Sequence, residues 1–288
     1  MLKIFSHLAT LFDGKKPLTA TPAPLASEPE IDHSRMRGLA DAVQSGWFNH
    51  ASGELLTGFQ IKSDDVVLDV GCGDGAATLF AARCGAEVIF SDTDAEKIKQ
   101  LEQRVKSTTA RAVQALIGDT NPLPLPDGRA TRIIATEMLE HVDDPAQVLA
   151  ELVRVGQPGA LYLLSVPDPV GERVQQQIAP ASHFKKPNHI HIFEREAFDA
   201  LITNAGLVVE SRQSSGFYWT MWMCLYWADA PKQDSATLDQ IKPPYPTLLN
   251  EWANTWQQLM MMPRGGEVKS RLDKLMPKSQ IIIARKPY

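Results

Sequence analysis

The sequence contains few cysteines, and none of them belongs to a C-x-x-C pair. Cys72, Cys84 and Cys224 are the three cysteines of the 288-residue chain, and they are dispersed along it. Their dispersal argues against a disulfide framework and against a structural zinc site. This cysteine usage is typical of a reducing compartment, so we predict a cytoplasmic protein.

The chain also lacks a long apolar run and an excess of basic residues. No stretch reaches the ~18 consecutive apolar residues that a membrane-spanning helix needs. The formal net charge is −5, so we expect no broad electrostatic attraction to nucleic acid. Apolar residues make up 44% of the chain and charged residues 22%, which is ordinary for a globular protein. The length allows one domain with insertions or two small domains.

The first 30 residues differ in composition from the rest. Residues 1–12 carry apolar side chains at helical spacing, and residues 13–30 include four prolines. We therefore predict an N-terminal amphipathic segment and a proline-rich linker over residues 1–30. The amphipathic segment either docks on the protein or makes a weak peripheral contact with a membrane.

A glycine-rich turn follows a short apolar strand at residues 66–70. Gly71, Gly73 and Gly75 alternate after the strand, and a helix is predicted directly behind them. Glycines let the backbone turn tightly and approach a ligand closely. Strand, turn and helix together predict a nucleotide-type cofactor site at the carboxyl edge of a parallel sheet. Cys72 lies inside the turn and is interpreted as a small residue filling a crowded position.

Two classes of cofactor fit this turn. Residues 71–76 satisfy the dinucleotide pattern G-x-G-x-x-A, which alone is a weak signal. The pattern D-x-G-x-G-x-G that begins at Asp69 instead resembles motif I of class I S-adenosylmethionine-dependent methyltransferases. Asp92, at the end of the next predicted strand, can accept hydrogen bonds from ribose hydroxyls with either cofactor.

The segment after Asp92 favours the methyltransferase interpretation. It contains G-D at 118–119, L-P-L-P-D-G at 123–128, E-M-L-E-H-V-D-D-P at 137–145 and Q-P-G at 157–159. In this order and spacing the run resembles small-molecule methyltransferases of the ubiquinone/menaquinone-biosynthesis type, with a type 11 or type 23 methyltransferase domain. The resemblance covers roughly residues 64–168.

The resemblance implies an α/β fold with a Rossmann-like, seven-stranded, mostly parallel sheet and helices on both faces. The methyltransferase domain would cover residues 31–215 and 278–288, with the last strand antiparallel. A helix predicted over residues 32–54 would precede motif I, and Trp47 and Phe48 near its end would line the site or pack on the domain.

Between the last two predicted strands lies an insertion of unusual composition, residues 216–277. It contains five of the six tryptophans. Trp and Met residues recur at helical spacing in two separate stretches, which predicts two helices with apolar faces. The insertion is therefore predicted to be helical, and to act as packed core, as a cap or acceptor pocket, or as an oligomer or membrane surface.

The resemblance also implies S-adenosyl-L-methionine as the cofactor and assigns roles around it. Asp69 would support the turn and the methionine amino group, and Asp92 would hold the ribose. An acid at 119 would lie near the adenine amino group, and residue 137 would contribute its backbone to the methionine end. The predicted cofactor-binding residues are Asp69, Gly71, Cys72, Gly73, Gly75, Asp92, Thr93, Asp119, Thr120 and Glu137.

Methyl transfer from a sulfonium is an in-line displacement, and positioning alone can supply much of its rate. A hydroxyl acceptor would nevertheless benefit from a nearby base. The candidate catalytic residues are His141, His189 and His191, with Asp168 as an orienting acid. His189 and His191 would share one face of an extended segment. That spacing also suits a metal pair, but no acidic or cysteine cluster at ligand spacing accompanies it, so no metal site is predicted.

These observations predict a methyltransferase that acts on the oxygen of a small molecule, such as a quinol, a lipid-linked compound or a sugar. The expected partner is that acceptor, with no nucleic acid, and the chain would be a monomer or a homodimer. Two alternatives stay open. One is an NAD-dependent Rossmann oxidoreductase, and the other is a non-catalytic interaction protein that keeps the methyltransferase fold.

Overall fold

A computed structural model describes residues 32–119, 122–229 and 241–288. The predicted N-terminal segment over residues 1–30, the predicted site residue Thr120 and part of the predicted insertion lie outside the described residues. The strands are β1 (Trp47–Asn49), β2 (Glu54–Leu56), β3 (Phe59–Gln60), β4 (Val66–Val70), β5 (Glu87–Asp92), β6 (Ala112–Ile117), β7 (Ala130–Thr136), β8 (Gly156–Pro167), β9 (Val208–Ser215) and β10 (Ser279–Arg285). The helices are α1 (His33–Gln44), α2 (Ala76–Arg83), α3 (Ala95–Lys106), α4 (Pro145–Val155), α5 (Pro169–Gln175), α6 (Arg195–Asn204), α7 (Phe217–Asp229), α8 (Thr247–Met261) and α9 (Gly265–Leu275).

The strands β4 to β10 form a seven-stranded sheet in the order β6-β5-β4-β7-β8-β10-β9. β4 runs parallel to β5 and β7, whereas β10 runs antiparallel to β8 and β9. The predicted Rossmann-like fold with an antiparallel last strand is therefore confirmed. The strand order reverses between β4 and β7, and ligands of such sheets bind in the crevice outside the carboxyl ends at this point.

Strand β4 is buried on both faces, as its unbroken apolar sequence predicted. Val66 and Leu68 pack into a core cluster that also contains Leu149 of α4. Val67, which points to the opposite face, belongs to a second cluster with Phe80 of α2. Successive side chains of a strand alternate between faces. Helices therefore pack on both faces of β4, the strand that precedes the glycine turn.

The helix predicted over residues 32–54 is too long. Helix α1 ends at Gln44, where the Ser45 N–H donates to the carbonyls of Asp41 and Ala42. Gly46 then takes a φ of +93°, a conformation that ends a helix and favours glycine. The residues beyond it form the small antiparallel sheet β1-β2-β3.

Helices α7, α8 and α9 lie between β9 and β10 in the chain, and α1 packs on α7 and α8. The two predicted apolar stripes form much of a buried cluster in which Trp222, Trp227 and Trp256 are almost fully enclosed. The sequence of helix α9 carries no such apolar stripe, so this helix was not predicted. Over the described residues, none of the helices combines the length and apolarity that crossing a membrane requires.

Candidate active site

A cavity of about 410 Å³ lies at the carboxyl ends of β4 and β7. The glycine turn over residues 71–75 lines one side, and Thr136 and Glu137 at the end of β7 line another. Trp47, Phe48 and Trp219 of α7 also line the cavity, so the helical layer contributes to it as well as the turn. A larger cavity of about 710 Å³ beside α9 contains none of the predicted site residues.

The glycines of the turn are required for different reasons. All three have φ between +50° and +77°, where a side chain is strained. A Cβ on Gly75 would lie 2.2 Å from Leu101, and a Cβ on Gly71 would lie 2.9 Å from Met138. A Cβ on Gly73 would meet nothing within 4 Å. Packing therefore explains Gly71 and Gly75, whereas Gly73 leaves open space along the cavity.

Asp92 fixes the turn against the end of β5. Its Oδ2 accepts a hydrogen bond from the Gly73 N–H at 2.9 Å, and its Oδ1 accepts one from the Asp94 N–H at 3.0 Å. The Cys72 N–H donates to the Ser91 carbonyl in the same region. Because each carboxylate oxygen has a second acceptor site, Asp92 keeps the capacity to bind ribose hydroxyls.

Asp69 lies beneath the turn and is 3% exposed. It accepts a 2.5 Å hydrogen bond from the Thr78 hydroxyl of α2. Burial, together with the charge of Asp92, raises the pKa of Asp69 to about 6. The contacts of this carboxyl group hold strand, turn and helix together, and its reach to a methionine amino group stays a prediction. Burial likewise raises the pKa of the Cys72 thiol, which stays neutral and unreactive.

The predicted adenine and ribose residues at the mouth lie at adjacent strand ends. Thr93 and Asp119 are exposed. The Gly118 N–H donates to the Asp92 carbonyl at 3.1 Å, which brings the end of β6 beside the end of β5. Neither Thr93 nor Asp119 lines the cavity itself.

Glu137 combines a strained backbone with a half-buried ion pair. Its φ is +54°, which is unusual for a residue with a side chain. The Lys278 ammonium, which the sequence analysis did not identify, pairs with its carboxylate, and the Ser165 hydroxyl donates to it at 3.1 Å. Burial opposes ionisation of Glu137, but Lys278 outweighs it and holds the pKa below its usual value.

Two of the three predicted catalytic histidines line the cavity. The rings of His141 and His189 lie 5.1 Å apart between centroids. His191 does not line the cavity, and its Nε2 lies 2.8 Å from the Val142 carbonyl. The segment is not a regular strand, so His189 and His191 do not share a face of one. His183, from the short helical turn Ala181–Phe184, joins the site instead.

The acid that orients His189 is Glu172 of α5, and Asp168 does not act in this way. Glu172 Oε2 lies 2.9 Å from His189 Nδ1. Asp168 accepts from the Val170 N–H at the start of α5 and pairs with Arg195 at 2.8 Å. Glu172 stands five residues beyond β8 with no motif around it, so only the fold reveals its role.

The fold and the glycine turn define a protein of the Rossmann-like class that binds a nucleoside-containing cofactor. Residues 43–212 match the model of the methyltransferase domain family. The chain belongs to this family, which confirms the family and the cofactor, S-adenosyl-L-methionine, predicted from the sequence. The family match also decides against the dinucleotide interpretation of the turn.

Two curated relatives and one solved structure illustrate the similarity. The ubiquinone biosynthesis O-methyltransferase of Methylococcus capsulatus is 31% identical over 103 residues, which cover 34% of this chain and 41% of that protein. A probable tocopherol O-methyltransferase of Oryza sativa is 28% identical over 138 residues, 46% of this chain and 36% of that protein. This chain therefore spans less than half the length of either relative.

The solved structure is an S-adenosylmethionine-dependent methyltransferase from Methanosarcina mazei. It is 16% identical, with a TM-score of 0.51 over 79% of this chain and 94% of that one. At this identity the likeness supports the fold alone.

The residues of the turn fit this cofactor. The open space at Gly73 allows a ligand to approach the backbone, and Asp92 offers acceptors for ribose hydroxyls. The Glu137 carboxylate and the turn line the same cavity, which would hold the methionine end. When bound, the cofactor supplies an electrophilic methyl group on a sulfonium.

Proposed function

We propose that the chain transfers the methyl group of S-adenosyl-L-methionine to a hydroxyl group of a small molecule. The observation that carries the proposal is the presence of His189 and its partner Glu172 in the cavity that the glycine turn also lines. A donor and an acceptor held in one cavity gain much of their rate from orientation.

A hydroxyl acceptor must lose its proton as its oxygen takes the methyl group, and His189 can accept that proton. An ionised carboxylate only accepts hydrogen bonds, so the His189 Nδ1 carries the hydrogen shared with Glu172. The Nε2 of the neutral ring is then the basic atom. A carboxylate that holds a basic imidazole in one tautomer is a recurrent arrangement in general base catalysis.

The walls of the cavity favour an acceptor with an apolar, ring-bearing body. Trp219, Met223 and Trp227 of α7 supply apolar surface, and the polar groups are concentrated near His141 and His189. Sites for such ligands combine apolar walls with a few placed polar groups. The names of the two relatives, a ubiquinone biosynthesis O-methyltransferase and a probable tocopherol O-methyltransferase, support a phenol or quinol more than a sugar.

The test is transfer of a labelled methyl group from S-adenosyl-L-methionine to fractionated cell extract and to a panel of quinols and phenols. We expect a labelled methoxy product, identified by its NMR shift. His189→Ala should lower turnover about 100-fold, the usual scale for loss of a general base, without weakening S-adenosylhomocysteine binding. His191→Ala is the matched control and should leave turnover unchanged.

Other outcomes would contradict the proposal. Label on nitrogen or carbon would exclude a hydroxyl acceptor. Cofactor binding without transfer to any fraction would favour the non-catalytic interaction protein.

A further inference from the structure

Within the described part of the chain, the carboxyl group of Glu140 is buried without a hydrogen-bond partner. Its side chain is fully enclosed, and neither carboxylate oxygen has a hydrogen-bond partner among the residues that the structure describes. A buried carboxyl group without a partner is unfavourable, so it requires either a proton or a cation.

His141 presents an unprotonated nitrogen to this carboxylate. The His141 Nδ1 lies 3.1 Å from the Pro187 carbonyl, which can only accept, so the ring hydrogen is on Nδ1. In the neutral ring, which is the form that binds metals, the lone pair is then on Nε2. The Nε2 lone pair then lies 3.6 Å from Glu140 Oε1. Two electron-rich atoms at this distance repel each other unless a positive charge lies between them.

His189 supplies a third ligand atom. The ligand atoms of Glu140, His141 and His189 all lie within 4.8 Å of one another. Ligands at about 2.0–2.2 Å from a tetrahedral zinc ion are roughly 3.4 Å apart, so metal binding would draw these atoms together by up to about 1.4 Å. Glu172 holds the opposite nitrogen of His189, which is the usual way a metal-binding histidine is oriented.

We propose that Glu140, His141 and His189 bind a divalent transition-metal cation such as Zn²⁺. Two imidazoles and one carboxylate leave a coordination position open in the cavity, as in catalytic zinc sites. In that case the Nε2 of His189 would bind the metal, so if the proposed function holds, coordination to the metal would acidify the bound hydroxyl in place of proton transfer to this nitrogen. No metal site was predicted from the sequence, because Glu140 and His141 lie far from His189 along the chain and only the fold brings them together.

The experiment measures metal content and metal affinity of the full chain. Protein purified without chelator is assayed for bound metal, then stripped with EDTA and titrated with Zn²⁺ by calorimetry and with Co²⁺ by visible absorption. We expect one equivalent of metal and the absorption bands of cobalt bound through nitrogen. Glu140→Gln and His141→Ala should each weaken binding by at least about 100-fold, beyond the 10–100-fold typical of losing an outer-shell partner.

His191→Gln is the matched control and should bind metal like the wild type. S-adenosylhomocysteine affinity of every variant shows that the fold is retained. Failure of the wild type to bind metal would overturn the proposal, as would a protonated-carboxyl infrared band that persists in the metal-loaded protein at neutral pH and disappears in Glu140→Gln. Methyl transfer is measured on the same metal-free and metal-loaded samples. Hydroxyl methylation without metal binding would overturn only this proposal, whereas metal binding without transfer would overturn only the proposed function.

Discussion

At the scale of single residues, Gly73 and Gly128 form a natural pair. Their φ angles are +50° and +62°, and a Cβ on either would meet nothing within 4 Å. Alanine at either position costs about 1–2 kcal/mol of left-handed strain. Only Gly73 lines the cofactor cavity. Gly73→Ala should therefore weaken S-adenosylhomocysteine binding at least about tenfold, or 1.4 kcal/mol, in calorimetry.

Gly128→Ala should lose similar stability and keep its affinity. Equal loss of affinity in both variants would show that strain, and not access to the backbone, explains the effect. The comparison therefore separates a glycine needed by the fold from a glycine needed by the ligand.

At the residue scale, the sequence indicated neighbouring groups where the contact is local and missed those where it is tertiary. The glycine turn and Asp92 were singled out by their spacing, and the structure brings them together within one β-α-β unit, although their binding of the cofactor stays a prediction. Glu172 and Lys278 carry no local pattern. Lys278 reaches Glu137 only because the last strand, β10, inserts antiparallel beside β8. No spacing along the chain encodes that contact.

At the scale of elements, periodicity was informative for long segments only. The buried strands and the Trp-rich helices α7 and α8 have patterns several residues long. Strands β1 to β3 have two or three residues each, too few for a period to emerge, and the helix prediction ran through them. Gly46, whose positive φ ends α1, was the available signal.

The contact between α1 and α7 gives a prediction at this scale. A Cβ on Gly38 would lie 1.9 Å from Cζ2 of Trp219. Alanine normally improves a helix by about 1 kcal/mol over glycine, but overpacking a tight contact costs about 1–3 kcal/mol. Gly38→Ala should therefore lower the free energy of unfolding in urea and change the tryptophan fluorescence.

Gly266 in α9 is the matched control, because a Cβ there meets nothing within 4 Å. Gly266→Ala should gain up to about 1 kcal/mol. A stabilised Gly38→Ala variant would show that α1 and α7 can separate without cost.

At the scale of the whole molecule, one buried polar network joins the helices that cover the sheet. Lys269 of α9 pairs with Asp41 of α1 at 3.0 Å and with Asp273 at 2.6 Å. The Trp256 Nε1 of α8 donates to Asp41, and Asp273 accepts from the Phe217 N–H at the start of α7. This network holds together helices that are far apart in sequence. The helices of the predicted insertion therefore form one layer with α1.

Lys269 is 3% exposed, so its removal would leave two buried carboxylates without a cation. Breaking a buried ion pair in this way costs about 3–5 kcal/mol. We expect Lys269→Met to lose that much stability in urea, whereas Lys274→Met, on the exposed face of α9, should change it by less than about 0.5 kcal/mol.

Burial already raises the pKa of Asp41, and without Lys269 it should rise further. The loss should thus be largest above that raised pKa and shrink as acid protonates the carboxyl groups. A loss that does not depend on pH would show that packing, and not charge, holds this layer over the active site.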